Sequence, residues 1–289
     1  MKQLQKAGVI GLVVGSFLLP FSIDVVAGGS KAMAEPIFTR YARIYQAPTL
    51  DFRTEFFKDK PMEEAENFDG YSLFLDFTWP INDRSQLQVF LPFYTNGEAD
   101  LIPSGKPVDI EGYNGVRDFF SLIYERRFSW LEDVTGVNVA WLAGVGWSLD
   151  PLDVTLGSST LHDRYNHSGY NAQIGLKFDD DISGGDMSLL GNLRLIMYLD
   201  NDDISYSNNA AFQVLSATGA VMFNQYGRFT PVLEAIFEAD FHDYTAFSLA
   251  PELIYTLTDS FDVKFAVPFR LTSDGQKYAA DLELTYRFQ

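Results

Sequence analysis

The chain has 289 residues, 39 of them acidic and 21 basic, a formal charge of −18 and no cysteine. The absence of cysteine excludes a disulfide framework and an N-terminal lipid attached through cysteine, and the acidic balance disfavours nucleic acid as a partner. A mean hydropathy of −0.04 reads as soluble, yet a membrane barrel gives the same value because half of each strand is polar.

The chain opens on a targeting segment. Lys2 and Lys6 form a basic start, and Val9 to Leu19 is apolar. That stretch, about 11 residues, is short of the ~18 a membrane helix needs. Ala32-Met33-Ala34 fits a small-x-small cleavage site, with Val25-Val26-Ala27 a second candidate. Residues 1–34 are expected to be a signal peptide, cut after Ala34 or Ala27. Cutting after Ala34 removes Lys2, Lys6, Lys31 and Asp24, a net +2, and leaves −20. In residues 35–49, Tyr41, Arg43 and Tyr45 alternate with Ala42, Ile44 and Gln46. Three readings stay open there: a periplasmic arm, a plug entering a lumen, or a further strand.

Residues 50–289 carry twelve candidate strands. In order they are Leu50–Phe57, Gly70–Pro80, Gln86–Tyr94, Val116–Phe128, Val137–Leu149, Gly169–Phe178, Met187–Leu199, Ala211–Phe223, Phe229–Asp240, Thr245–Leu257, Phe261–Leu271 and Tyr278–Phe288. Most are near the 9–11 residues that a tilted strand needs to cross a bilayer. The last two show the pattern best: Phe261, Val263, Phe265, Val267 and Phe269 alternate with Asp262, Lys264, Ala266, Pro268 and Arg270. Such alternation makes one face apolar and the other polar. It recurs along most of the chain with charges of both signs on the polar face, as lipid outside and water inside require. Only helices and closed barrels satisfy their backbone groups in lipid. The expected fold is all-β, a transmembrane antiparallel barrel.

The connections agree. Asp59–Phe68, Thr95–Gly115, Asp150–Ser168 and Asp200–Ala210 are long and acidic, while Ile81–Ser85, Asp179–Asp186, Asn224–Arg228 and Thr258–Ser260 are short. Short turns face the periplasm and long loops the outside, so an even strand count puts both termini in the periplasm. The late outer loops Phe241–Tyr244 and Thr272–Lys277 are short and weaken the rule. Lipid-facing sets include Val139, Trp141, Ala143, Val145 and Trp147; the eighth strand is ambiguous, since Phe212 and Leu215 fall on opposite faces. Trp79, Trp130, Trp147, Tyr286 and Phe288 lie near strand ends or in turns and are expected in aromatic girdles.

The inward face is rich in ionisable residues. Its middle layer, Arg194, Glu234, Glu252, Lys264 and Glu283, is the candidate lumen and selectivity site. The layer is either a constriction that sorts solutes or an ion-pair network filling a narrow barrel. The surplus of carboxylates in the late strands suggests at most weak cation preference. Phe74, Phe90, Phe119, Ile123, Leu142, Val232, Ile236 and Ile254 also point inward, either to bind a hydrophobic solute or to pack under a plug. No catalytic residue, cofactor site or metal site is assigned. His162, His167 and His242 lack the spacing of a barrel lipid hydrolase, and Asp200-Asn201-Asp202-Asp203 lacks the glycine of a calcium loop.

Three places resemble a family of predicted outer-membrane channels named for the meta-pathway of phenol degradation. They are Val89-Phe90-Leu91-Pro92-Phe93; Gly112 to Phe119, reading G-Y-N-G-V-R-D-F, followed by Leu122 to Arg127; and Val267-Pro268-Phe269, Thr272 to Gly275 and Leu284 to Phe288. The resemblance implies uptake of small, often aromatic or hydrophobic compounds and supplies no catalytic residue. The expected function is therefore passive passage of a small solute through an outer-membrane barrel. The alternatives are a closed structural or surface-binding barrel and, behind it, a lipid hydrolase. Expected partners are outer-membrane lipids, lipopolysaccharide, the solute and the barrel assembly machinery.

Overall fold

The structure, a computed structural model, describes residues 34–62, 65–112, 119–149, 153–157, 159–160, 169–199, 211–241 and 244–288. Arg117, the three histidines and the Asp200–Asp203 run lie outside them, as do residues 1–33.

Twelve antiparallel strands close into one barrel. In chain order the strand segments are β1 (Thr49–Met62), β2 (Ala65–Asn82), β3 (Ser85–Leu101), β4 (Lys106–Gly112), β5 (Phe120–Arg127), β6 (Asn138–Trp147), β7 (Asp153–Leu156) and β8 (Ser159–Thr160). They continue with β9 (Tyr170–Ile182), β10 (Met187–Leu199), β11 (Ala211–Phe223), β12 (Phe229–Ala239), β13 (Thr245–Thr258), β14 (Phe261–Ala266), β15 (Phe269–Arg270) and β16 (Tyr278–Arg287). β3 pairs with both β4 and β5, which together make one interrupted barrel strand. β13 and β16 likewise pair with both β14 and β15. The ring closes where β1 pairs with β16, from Thr49 opposite Arg287 to Lys58 opposite Tyr278. Both chain ends of the barrel therefore lie at the end that carries the short turns.

Alternation sorts the faces as the sequence predicts. On β6, Val145 and Trp147 are exposed while Ala140 and Leu142 are buried. On β10, Leu189, Leu193 and Leu199 are exposed while Ser188 and Leu190 are buried. Aromatic residues ring both ends of this apolar belt: Trp79, Trp130, Tyr226, Phe229 and Tyr286 at the short-turn end, and Phe56, Trp147, Tyr170, Phe269 and Tyr278 at the other. β11 resolves in the same way, with Val214, Ala220 and Met222 inward. Its inner face mixes these apolar residues with Ser216 and Thr218 and carries no charge, which is why the pattern did not declare itself. Among the described residues no helix is long and apolar enough to cross a membrane.

Three expected connections differ. The supposed loops 59–68 and 95–112 are largely strand. Their alternation continues past the aromatic ring and buries Phe57, Phe68, Leu101, Val108 and Ile110 in one cluster. Above the lipid the outer face meets water, so acidic residues there cost nothing, and they disguise the strand as a loop. At the opposite end, β9 runs on to Ile182, and the turn is Ser183–Gly185 rather than the aspartate run. Asp179 is an inward strand residue and is fully buried.

Leu193 sits midway along β10, between Leu176 and Ala217 on the lipid face. Leu193→Arg is expected to lower stability by about 2–4 kcal/mol. Reversible denaturant unfolding in phospholipid vesicles measures this, and an unchanged midpoint would mean that this face does not meet hydrocarbon.

Candidate functional site

The lumen is occupied from the short-turn end by the chain's own residues 34–48, which form a loop without regular secondary structure. The loop leaves the barrel wall beside the closing strand, where the Phe288 amide donates to the Pro48 carbonyl at 2.9 Å. Its two limbs are tied by one carboxylate. Glu35 accepts from the Tyr41 amide at 2.7 Å and from Arg40 at 3.0 Å, and it also binds the Tyr45 hydroxyl. Burial raises the Glu35 carboxyl above its ordinary range, and Arg40, Lys264 and Lys177 pull it part of the way back.

The barrel wall supplies what an irregular segment needs, acceptors for its amides. Glu252 accepts from the Ile37 amide at 3.1 Å and Glu234 from the Phe38 amide at 3.3 Å. Asp179 accepts from the amides of Ala42 and Arg43 at 2.7 and 3.2 Å, from Arg43 Nε at 2.6 Å and from Asn138 at 2.9 Å. Gln86 accepts from the Tyr45 amide at 2.9 Å and donates to Glu125, itself paired with Lys177. Tyr41 is buried with Leu190, Ala220, Met222, Val232 and Ile254. This apolar contact adds hydrophobic burial to the hydrogen bonds.

Arg40 sits at the apex of the loop. Its guanidinium reaches Glu35 at 3.0 Å, Asp51 at 3.3 Å and Glu283 at 3.4 Å. Lys264, fully buried, binds Glu283 at 2.6 Å and lies 3.9 Å from Asp51. Two cations and three carboxylates thus share one dry cluster. Charges at such depth persist only when paired and hydrogen-bonded.

The five residues of the predicted layer therefore divide. Glu234, Glu252, Lys264 and Glu283 are buried against or beside the loop, Glu283 also bordering open space, and Arg194 faces that space directly. That space is a cavity of about 260 Å³ on the long-loop side of the loop, with Ile37, Phe38 and Arg40 among its lining residues. Of the apolar inward residues, Phe74, Phe90, Ile123 and Ile236 line the cavity, whereas Val232 and Ile254 pack on Tyr41. Sequence reasoning missed Asp51, Asp179 and Gln86, and left the loop's own Glu35, Arg40 and Arg43 without partners. For Asp51 and Gln86 the signal was present, since each falls on the inward face of its strand.

No protein-family model matches the chain, and no curated protein matches its sequence. Solved structures do. The COG4313 outer membrane channel from Pseudomonas putida F1 aligns with a TM-score of 0.56 at 11% identity, over 91% of this chain and 100% of its own. The translocator domain of the autotransporter NalP from Neisseria meningitidis aligns with a TM-score of 0.55 at 11% identity, over 98% of each chain. At that identity the likeness establishes the fold: an outer-membrane β-barrel. The apolar belt between aromatic rings places it in a bacterial outer membrane.

Removing Lys264 tests the buried cluster. Lys264→Met leaves Glu283 and Asp51 with Arg40 as their remaining cation and is expected to cost about 3 kcal/mol. Denaturant unfolding in detergent micelles checks this; Lys264→Met with Glu283→Leu should recover part of the loss, because the stranded charge is gone.

Proposed function

We propose that the protein is an outer-membrane channel for passive passage of a small solute, with residues 35–48 as the restriction in its lumen. One observation carries the reading. A polar, charge-lined lumen encloses a cavity on one side of a loop that is held by side chains of the wall and enters from one end only. A barrel whose interior served stability alone would be filled by the side chains of its strands, as eight-stranded barrels are. Here a separate segment fills part of the lumen, and polar bonds that water can replace hold much of it. The COG4313 neighbour is an outer membrane channel. The NalP neighbour shows that the same fold also serves as a translocator domain, so the lumen, not the fold, has to carry the argument.

The finer resemblance, to channels named for phenol degradation by the meta-pathway, adds a preference for small solutes with an apolar body. Phe74, Phe90, Ile123 and Ile236 on the cavity wall agree with it. In this reading residues 1–34 are a cleaved signal peptide, the short-turn end faces the periplasm, and lipid, lipopolysaccharide and the assembly machinery are the partners outside the lumen. The chemistry is diffusive: no residue is assigned a catalytic role.

Single-channel recording in planar bilayers tests the proposal. A variant lacking residues 35–46 should show a conductance several times that of the parent barrel, and Asp179→Asn, which weakens the grip on Ala42 and Arg43, should lengthen or multiply openings. Equal conductance in all three proteins, each folded by heat-modifiability, would remove the loop from the permeation path. Silence in all three would mean a closed barrel.

A further inference from the structure

Every lumen-facing cation but one has a carboxylate within 4.0 Å among the described residues. Arg40, Arg43, Arg53, Lys60, Lys177 and Lys264 are all paired, as are Arg127, Arg270 and Arg287. The exception is Arg194, whose one hydrogen-bond partner is the amide oxygen of Gln173 at 3.3 Å. Arg194 lines the cavity. Its guanidinium, half-buried, thus presents unused N–H donors to the cavity, where a carboxylate can meet them.

A second unpaired group faces the same space. Glu238 lines the cavity and has no cation within 4.0 Å among the described residues. Arg194 is opposite Ser216 on β11, and Ser216 is opposite Glu238 on β12. The three residues form one row across three strands, with the short serine side chain in the middle. Adjacent strands lie about 4.8 Å apart, so the two outer Cα atoms are roughly 10 Å apart. The positive and negative heads thus face one space and leave a gap between them. Ile196, Val214 and Ile236 supply an apolar wall beside that row.

We propose that this row binds a small zwitterion with an apolar side group, the chemistry of an α-amino acid with a hydrocarbon side chain. Arg194 takes the carboxylate by paired N–H donors, for which a planar guanidinium is suited. Glu238 accepts from the ammonium group, and the aliphatic residues hold the side group. A cavity of about 260 Å³ lies at the small end of ligand sites and admits a solute on the order of ten heavy atoms. The solute identity deepens the channel reading, but binding itself requires only the cavity.

The test is calorimetric titration of the folded full-length barrel in detergent with three probes of matched shape: leucine, 4-methylpentanoate without the ammonium, and isoamylamine without the carboxylate. Leucine should bind about tenfold more tightly than either, the usual scale for one charge-assisted contact. Arg194→Gln should remove the advantage over isoamylamine, and Glu238→Gln the advantage over 4-methylpentanoate. Arg194→Lys should keep part of it. Equal affinity for all three probes in the parent protein, no measurable binding of any, or insensitivity to both variants would overturn the site. Liposome swelling on the same samples separates the two readings. Leucine binding without flux keeps the site and ends the channel, while flux that does not discriminate the probes keeps the channel and ends the site.

Discussion

The pairing of β1 with β16 is the constraint on which everything else rests. In hydrocarbon an unpaired strand edge has no water to turn to, so the sheet must close or leave the membrane. Ten consecutive residues of β1 find partners on β16, and that closure fixes which side chains share the interior. It brings Asp51 and Glu55 of the first strand beside Asp281 and Glu283 of the last. Acidic residues from both ends of the chain thereby meet in one place. Lys264 and Arg40 answer Asp51 and Glu283, Lys60 and Arg53 answer Glu55 and Asp281, and Arg40 alone of these cations comes from outside the wall.

The loop that delivers Arg40 is therefore bound up with the electrostatics of the barrel as well as its cross-section. Without it, Glu234, Glu252 and Asp179 would face the lumen with their acceptors open. With it, each accepts from at least one main-chain amide. A carboxylate and a backbone N–H form a strong contact in dry surroundings and a weak net one when water can enter. A loop attached by such bonds stays put in a closed lumen and loosens once hydrated. That property suits a restriction better than a permanent filling, which would be built of apolar contact throughout.

The barrel was legible in the sequence because lipid imposes period two on every strand that crosses it. Alternation at Val139 to Trp147 or Phe261 to Phe269 needs no knowledge of neighbours. Legibility failed where lipid stops imposing it. Residues 59–68 and 95–112 continue as strands in water, where Asp and Glu are free to occupy the outer face, and acidity was read as loop. Asp179 failed for a related reason: a run of three aspartates looks like a turn, and only the Arg43 and Ala42 contacts, 136 and 137 residues away in sequence, explain a buried one. The loop itself left a trace in Tyr41, Arg43 and Tyr45, but its partners lie on strands far along the chain, and no local pattern points to them. The carboxylate surplus of the late strands was the available clue. Read as a cation preference, it has partners in the loop.

The same accounting gives Arg194 its weight. Where every other inward cation among the described residues is paired, an unpaired one marks a place where the protein leaves a valence for something outside itself. Gln173 positions that guanidinium without neutralising it, and Ser216 keeps it apart from Glu238 by leaving the space between them open. Two opposite charges on adjacent strands of one row would pair directly; here Ser216 stands between them. That they face one cavity with a gap is a geometric choice of the sequence, and a solute carrying both charges is the simplest object that completes it.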